Sequence, residues 1–399
     1  MSPVRGRYAM LALVTTAQAG GAMIQQGLGS LAPFLAAAFA LNHAELGLAF
    51  GLLVGGSALA TAPAGLAVDA WGERRMILFS GLVMGTALIA AAASHAYLWL
   101  LTWLVVAGIG YAASTPAGGR AILLWFERDR GMAMSIRQTG VPVGGMVGAL
   151  ILPPIAAFAS FRAAFIVAGA ICALSAIVAA IFYRGPPETA PIKRTLAQIL
   201  AAMGDLLKDR RAILVTLCCM ALVSVQTVMI TFLTITLAGR VSLSLTLAAI
   251  GLAIAQVGAS VGRIISGLVS DRYFGGDRLA PMAILVVIAA LASVGIGLVP
   301  RSALGLAFFV SFVLGFSSAG WNGLMAAVLV EIGGAERAGS ALGIALTGVF
   351  GMGFIVPPLF GALADRTGLE FAWIALGIAS LIGLVPALAA RRLIARSSG

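Results

Sequence analysis

Two arginines, Arg137 and Arg263, stand inside long apolar runs, one in GMAMSIRQTGVPVGG (131–145) and the other in GASVGRIISGLVSD (258–271). A guanidinium stays protonated at any relevant pH and presents a planar fork of donors that matches a carboxylate or a similar oxyanion. None of the 14 acidic residues shares the interior of an apolar run with them: Glu45, Asp365 and Glu370 lie in or near loops on one side, and the other eleven lie on the opposite side. His43 and His95, the only histidines, also fall in loops. Permanent cations without a neighbouring carboxylate make anion binding the chemistry to expect. A proton relay normally needs an Asp, Glu or His within the membrane, and the interior of these runs offers none.

The elements that must carry these arginines are membrane helices. Of the 399 residues 61% are hydrophobic and 10% charged, with 50 glycines, whereas soluble domains carry about 25% charged residues. Twelve runs are long enough to cross a hydrocarbon core about 30 Å thick: 8–39, 44–69, 75–94, 97–124, 131–159, 162–183, 212–239, 244–270, 278–299, 302–330, 336–363 and 369–391. They are numbered helices 1 to 12 in that order. The expected fold is all-α, with an N-terminal half over 1–183, a polar central loop over 184–211 and a C-terminal half over 212–399. No leader with a charged stub, a short apolar core and a small-residue cleavage site precedes helix 1, which is therefore expected to remain in place.

Basic residues orient such a chain, because Lys and Arg concentrate in cytoplasmic loops. With both termini inside, 19 of the 25 fall on the cytoplasmic side and four on the outer side, leaving Arg137 and Arg263. The net charge of +11 thus reads as a topology signal; no basic soluble domain exists to bind nucleic acid. The sequence contains no HExxH and no GxxxxGK, so neither an enzyme nor an ATP-driven pump is expected, and no cofactor or metal is implied. Cys172, Cys218 and Cys219 lie in apolar segments without ligand spacing and read as small packing residues.

The two halves repeat. GMAMSIRQTGV (131–141) aligns without a gap to GSALGIALTGV (339–349), with Ala345 opposite Arg137. GLAVDAWGERR (65–75) aligns to GLVSDRYFGGDR (267–278). Helices 2 and 8, and helices 5 and 11, are therefore partners, and parallel repeats of this kind place a substrate site where the halves meet.

On these residues the whole chain resembles the major facilitator superfamily. The carriers are the loop motif Gly65-x-x-x-Asp69-x-x-Gly72-x-Arg74-Arg75, its copy at Gly267, Asp271 and Arg272, and WFERDRG (125–131) leading into a glycine-rich helix. The resemblance implies a gradient-driven transporter working by alternating access. The helix 4 Arg of many proton-coupled members is replaced here by Leu104. Asp69 and Asp271 at the ends of helices 2 and 8, with Arg74, Arg75 and Arg272, are gating candidates, able to pair with loop arginines or to receive the N–H groups of a helix start. The plainer role is a solvated helix cap.

Both buried arginines lie roughly 10 Å deep at 1.5 Å per residue, where a charge costs about 2.5–3.5 kcal/mol on insertion scales. At 100° per residue Arg137 shares an arc with Gly144 and Gly148, and Arg263 shares one with Gln256, Ser260 and Gly267, stripes that belong to the protein interior. The resemblance implies that helices 5 and 8 are neighbours and that both charges approach one cavity. The monocarboxylate and oxalate–formate branches are similar in having an Arg where Arg263 stands. The alternatives are that Arg137 snorkels toward the headgroups and that Arg263 braces a backbone carbonyl or Gln256. Gln18, Gln25, Gln226, Thr227, Tyr111, Trp321 and Asn322 are further polar groups of the helix interiors; Gln25, Tyr111, Trp321 and Asn322, together with Gln256, join the arginines as candidate substrate contacts.

The expected function is transport of a small anion, foremost an organic carboxylate, by exchange, uniport or proton-linked symport in a cell membrane, with a monomer as the working unit and the lipid bilayer as its surroundings. A proton-antiporting drug exporter is the alternative. It is suggested by Gly131-x8-Gly140-x3-Gly144, although Gly145 occupies the position where that signature has Pro.

Overall fold

The computed structural model describes the backbone of residues 3–126, 129–185 and 209–397; side chains are described throughout these ranges except at 3–5, 131, 333–344 and 395–397. Most of the proposed central loop, with Lys193 and Lys208, therefore lies outside the described residues, as do Arg128 and the side chain of Arg337. Among the described residues twelve helices are long and apolar enough to cross a membrane: Gly6–Phe39, His43–Trp71, Glu73–Ala92, Tyr97–Trp125, Met132–Phe158, Phe161–Phe182, Arg210–Gly239, Leu245–Tyr273, Leu279–Leu298, Leu304–Ile332, Ala345–Thr367 and Leu369–Ile394. They keep the numbers 1 to 12. The backbone between helices 10 and 11 stays helical, so Trp321–Thr367 forms one continuous element. The fold is all-α, and no strand occurs among the described residues.

The chain separates into two compact units, Met1–Phe39 with Leu52–Leu196, and Ala40–Gly51 with Ala197–Gly399. The first two turns of helix 2 thus cluster with the second unit. In the first unit helix 1 packs on helix 5, helix 3 on helix 6, and helix 2 on helix 4; in the second the same scheme recurs as 7 on 11, 9 on 12 and 8 on 10. Small residues make these pairings, because they let backbones approach where no hydrophobic effect drives association. A Cβ added at Gly144 would strike the carbonyl of Ala19, and one at Gly148 that of Met23, so this stripe of helix 5 lies directly on helix 1. Gly258 and Gly262 of helix 8 meet Phe312 and Phe316 of helix 10 in the same manner.

Polar residues tie the helix ends. At the start of helix 2, Asn42 and Glu45 exchange backbone-to-side-chain bonds of 2.9 and 2.8 Å, a capping-box arrangement. Asp365 at the end of helix 11 accepts the N–H groups of His43 and Ala44 at 3.0 and 2.9 Å, and its Oδ1 lies 2.7 Å from Nδ1 of His43. Arg240 pairs with Glu370 at 3.2 Å and donates to the carbonyl of Val299. Residues read from the sequence as loop charges are therefore latches within the second unit.

Candidate functional site

Helix 4 is not continuous. It runs from Tyr97 to Ala112 and resumes from Ser114 to Trp125. Pro116 has no N–H to give back to the preceding turn, which is enough to break the ladder here. Arg137 of helix 5 reaches this break. Its Nη2 donates to the carbonyl of Ser114 at 2.9 Å and to that of Thr115 at 3.2 Å. The guanidinium lies against Gly118, whose missing side chain leaves the room it occupies.

Arg137 is 1% exposed, so its charge does not snorkel to a surface. Its donors are only partly used. Nη1 has the Sδ of Met134 at 3.9 Å, and Nε, packed beside Gly118, meets no acceptor among the described residues. No ion pair joins Arg137 to a described carboxylate. Five N–H donors thus serve two carbonyl oxygens and one thioether, in surroundings where a charge is normally paired and fully hydrogen-bonded. Tyr111, 6% exposed, lies one residue before the end of the first part of helix 4 and faces Gly21 of helix 1. In the same unit Gln18 is 2% exposed; its Nε2 lies 3.4 Å from Gln138 Oε1, while its own Oε1 has no partner among the described residues. Gln25 is half-buried and accepts from Gln26 at 2.9 Å.

In the second unit, Arg263 is half-buried on helix 8, one turn beyond the close contact of Gly258 with Phe312. Gln256, 2% exposed, lies two turns before it on the same helix, and its carbonyl accepts from Ser260 at 3.1 Å. Helix 10 breaks at Gly320, as helix 4 does at Ala113. Trp321 Nε1 donates to the Ser318 carbonyl at 2.7 Å, and Asn322 Nδ2 to that of Ala319 at 3.0 Å. Ser266 of helix 8 donates to the Gly320 carbonyl at 2.6 Å. The donors of Trp321 and Asn322 are thus turned onto their own broken helix.

The gating candidates pair within their units. Asp69 meets Arg120 of helix 4 at 3.1 Å, and Arg120 also holds Glu73 at 3.3 Å. Tyr183, buried at the end of helix 6, donates to Glu73 at 3.1 Å; burial, with Glu73 beside it, holds its hydroxyl well above the usual phenol range. Arg74 donates to the Ala180 carbonyl at 2.5 Å, while Arg75 is exposed. Asp271 pairs with Arg278, which also approaches Glu331 at 3.5 Å, and Arg272 is exposed. The sequence pointed to the loop arginines as partners of Asp69; Arg120, counted there only as a topology charge, is the centre of this network. Glu73, Tyr183, Gly118 and Ser266 were not singled out either, because their partners lie on other helices.

Twelve apolar spans in two repeated packing schemes, with a cation buried inside one span, fit a membrane transporter. The chain belongs to the Major Facilitator Superfamily, whose family model matches residues 11–357. An uncharacterised transporter of this superfamily from Mycobacterium tuberculosis is 27% identical over 387 residues, covering 96% of this chain and 85% of the relative. The probable sulfoacetate transporter SauU of Cupriavidus necator is 27% identical over 360 residues, covering 84% of this chain and 82% of the relative. Among solved structures, a bacterial homologue of the human lysosomal transporter Spinster, inward-facing and occupied, shares the fold with a TM-score of 0.78 at 19% identity, over 98% of this chain and 97% of that one.

Proposed function

We propose that this transporter moves a small organic anion, a carboxylate or sulfonate, and that Arg137 and Arg263 supply the positive charge that binds it. The observation that carries this reading is Arg137: a guanidinium 1% exposed inside a membrane span, with donors left over and no carboxylate partner among the described residues. A charge so placed costs free energy that two carbonyl bonds offset only in part, and an anion supplies the missing acceptors. The similarity to a probable sulfoacetate transporter supports the same class, since sulfoacetate carries a sulfonate and a carboxylate on one carbon. Gln25, Gln256 and Tyr111 are the neutral groups proposed to orient the substrate, with Trp321 and Asn322 shaping the site from the broken turn of helix 10. Asp69, Arg74, Arg75, Asp271 and Arg272 are proposed to gate the cytoplasmic side through the ion pairs at the helix ends. The setting is a cell (inner) membrane with both termini cytoplasmic, a monomer is the working unit, and exchange, uniport or proton-linked symport supplies the drive.

Uptake into proteoliposomes tests this reading. Wild type is expected to take up sulfoacetate or a short mono- or dicarboxylate, and Arg137→Ala and Arg263→Ala to lose most of that uptake. Wild-type rates in both variants would overturn the role of the arginines. Proton-driven movement of cationic drugs without any anion transport would favour drug export instead.

A further inference from the structure

We propose that the second unit holds an acidic phospholipid headgroup in a cavity lined by the start of helix 9 and the ends of helices 10 and 12. The cavity measures about 400 Å³, and three guanidinium groups line it, those of Arg278, Arg391 and Arg392. Two carboxylates also line it, Asp277 and Glu331, but Asp277 is already committed. Its Oδ1 caps the start of helix 9 by accepting from the N–H groups of Leu279 and Ala280 at 2.9 and 3.2 Å, and its Oδ2 accepts from Arg391 Nε at 2.5 Å. Arg278 is turned toward Asp271 and Glu331. Arg392 makes no ion pair or hydrogen bond with a described residue. By count the lining holds one more guanidinium than carboxylate, and with Arg278 and Arg391 in ion pairs Arg392 is its open donor.

The walls are preformed. The chain turns into helix 9 through Gly275 and Gly276, at φ of +59° and +90°, conformations that suit glycine. Ser270 at the end of helix 8 donates to the Asp277 carbonyl at 3.0 Å and fixes the turn.

Between the charges the lining is apolar, with Leu279, Val328 and Ile394. Outward from the cavity the lipid-facing surface continues: Leu388 lies three residues before Arg391 on helix 12 and Val385 three before that, 44% and 70% exposed, while Ile284 and Leu291 of helix 9 are 46% and 67% exposed. A free phosphate would use only the arginines. A phospholipid would use both, its phosphate among the guanidinium groups and its chains along Val385, Leu388, Ile284 and Leu291. Basic pockets between membrane helices on the cytoplasmic side bind acidic headgroups in this way.

Thermal melting of the purified full chain in detergent, with phosphatidylglycerol added, is the test; phosphatidylcholine and inorganic phosphate form the other arms. Phosphatidylglycerol is expected to raise the melting temperature, phosphatidylcholine and phosphate to have little effect. Arg392→Gln, which breaks no internal pair, is expected to raise the phosphatidylglycerol concentration needed by about fivefold, and Arg391→Gln with Arg392→Gln to abolish the response. Equal shifts with phosphatidylcholine, or an Arg392→Gln response identical to wild type, would overturn the site. A full response to phosphate alone would overturn its assignment to lipid.

Discussion

Helices 4 and 10 are the fourth spans of their halves, and both are broken near the middle, yet the two breaks are closed by different chemistry. At Ala113 the broken turn is met by a charge from another helix: Arg137 donates to Ser114 and Thr115. At Gly320 it is met by neutral donors, Trp321 and Asn322 from the same helix and Ser266 from helix 8. The backbone problem is the same, and the second unit shows that it can be solved without a charge. Helix 11 makes the same point, since Ala345 stands fully buried where its repeat partner has Arg137. The arginine is therefore not required by the scaffold, and the cost of burying it argues for a function that uses the charge.

Substitutions at the two breaks can separate or merge them. The largest effect is expected from Gly118→Val, whose added carbons would enter the space of the guanidinium; overpacking together with displacement of a buried charge should cost about 3 kcal/mol or more. Gly323→Val, three residues beyond the other break with nothing within 4 Å of its Cβ position, should change stability by less than about 1 kcal/mol. Thermal or denaturant melting of both variants decides whether the first break alone is tightly packed. Next comes Arg137→Gln, which should cost about 1–3 kcal/mol through the lost charged hydrogen bonds and lower anion transport at least tenfold. Ser266→Ala should cost about 1.5 kcal/mol for its buried bond to the Gly320 carbonyl while leaving transport near wild type. If Ser266→Ala abolished transport as completely as Arg137→Gln, the contrast between a functional charge and a structural hydroxyl would collapse.

The smallest expected effect lies at the helix ends, where the units also differ. The Asp69–Arg120–Glu73 network of the first unit includes the buried Tyr183, whose hydroxyl donates to Glu73; in the Asp271–Arg278–Glu331 network of the second the buried hydroxyl is that of Ser270, which accepts from Arg278 at 3.1 Å. Tyr183→Phe should cost about 1 kcal/mol. Because folding raises the Tyr183 pKa, its contribution is complete below the unfolded value of about 10 and is lost only as pH rises above that. The difference between wild type and Tyr183→Phe should therefore be flat from pH 5 to 9, as melting curves across that range would show.

The spans were legible because hydrophobic length is a property of contiguous residues, and the helices begin and end within a few residues of the apolar runs, except at the start of helix 11, where the backbone runs on from helix 10 without a break. The glycine stripe of helix 5 was legible too, since Gly140, Gly144 and Gly148 recur every four residues and so share one helix face. The destination of a long side chain was not. The arc shared by Arg137, Gly144 and Gly148 pointed inward, and the two glycines do lie on helix 1, but nothing in the spacing said that Arg137 would reach Ser114 on helix 4. Asp69 illustrates the same limit: its loop arginines are five and six residues away, whereas its partner Arg120 is 51 residues on. Trp321 and Asn322 were legible as polar groups on helix 10. That they would turn back onto a broken turn depends on the break itself, which Gly320 permits but does not announce.

Calorimetric titration of the purified protein with sulfoacetate and a panel of short carboxylates tests the central claim most directly. Wild type should bind at least one of these anions, Arg137→Gln and Arg263→Gln should each weaken that binding at least tenfold, and Ser266→Ala should leave it unchanged. Unaltered affinity in both arginine variants would contradict the claim that Arg137 and Arg263 bind the transported anion.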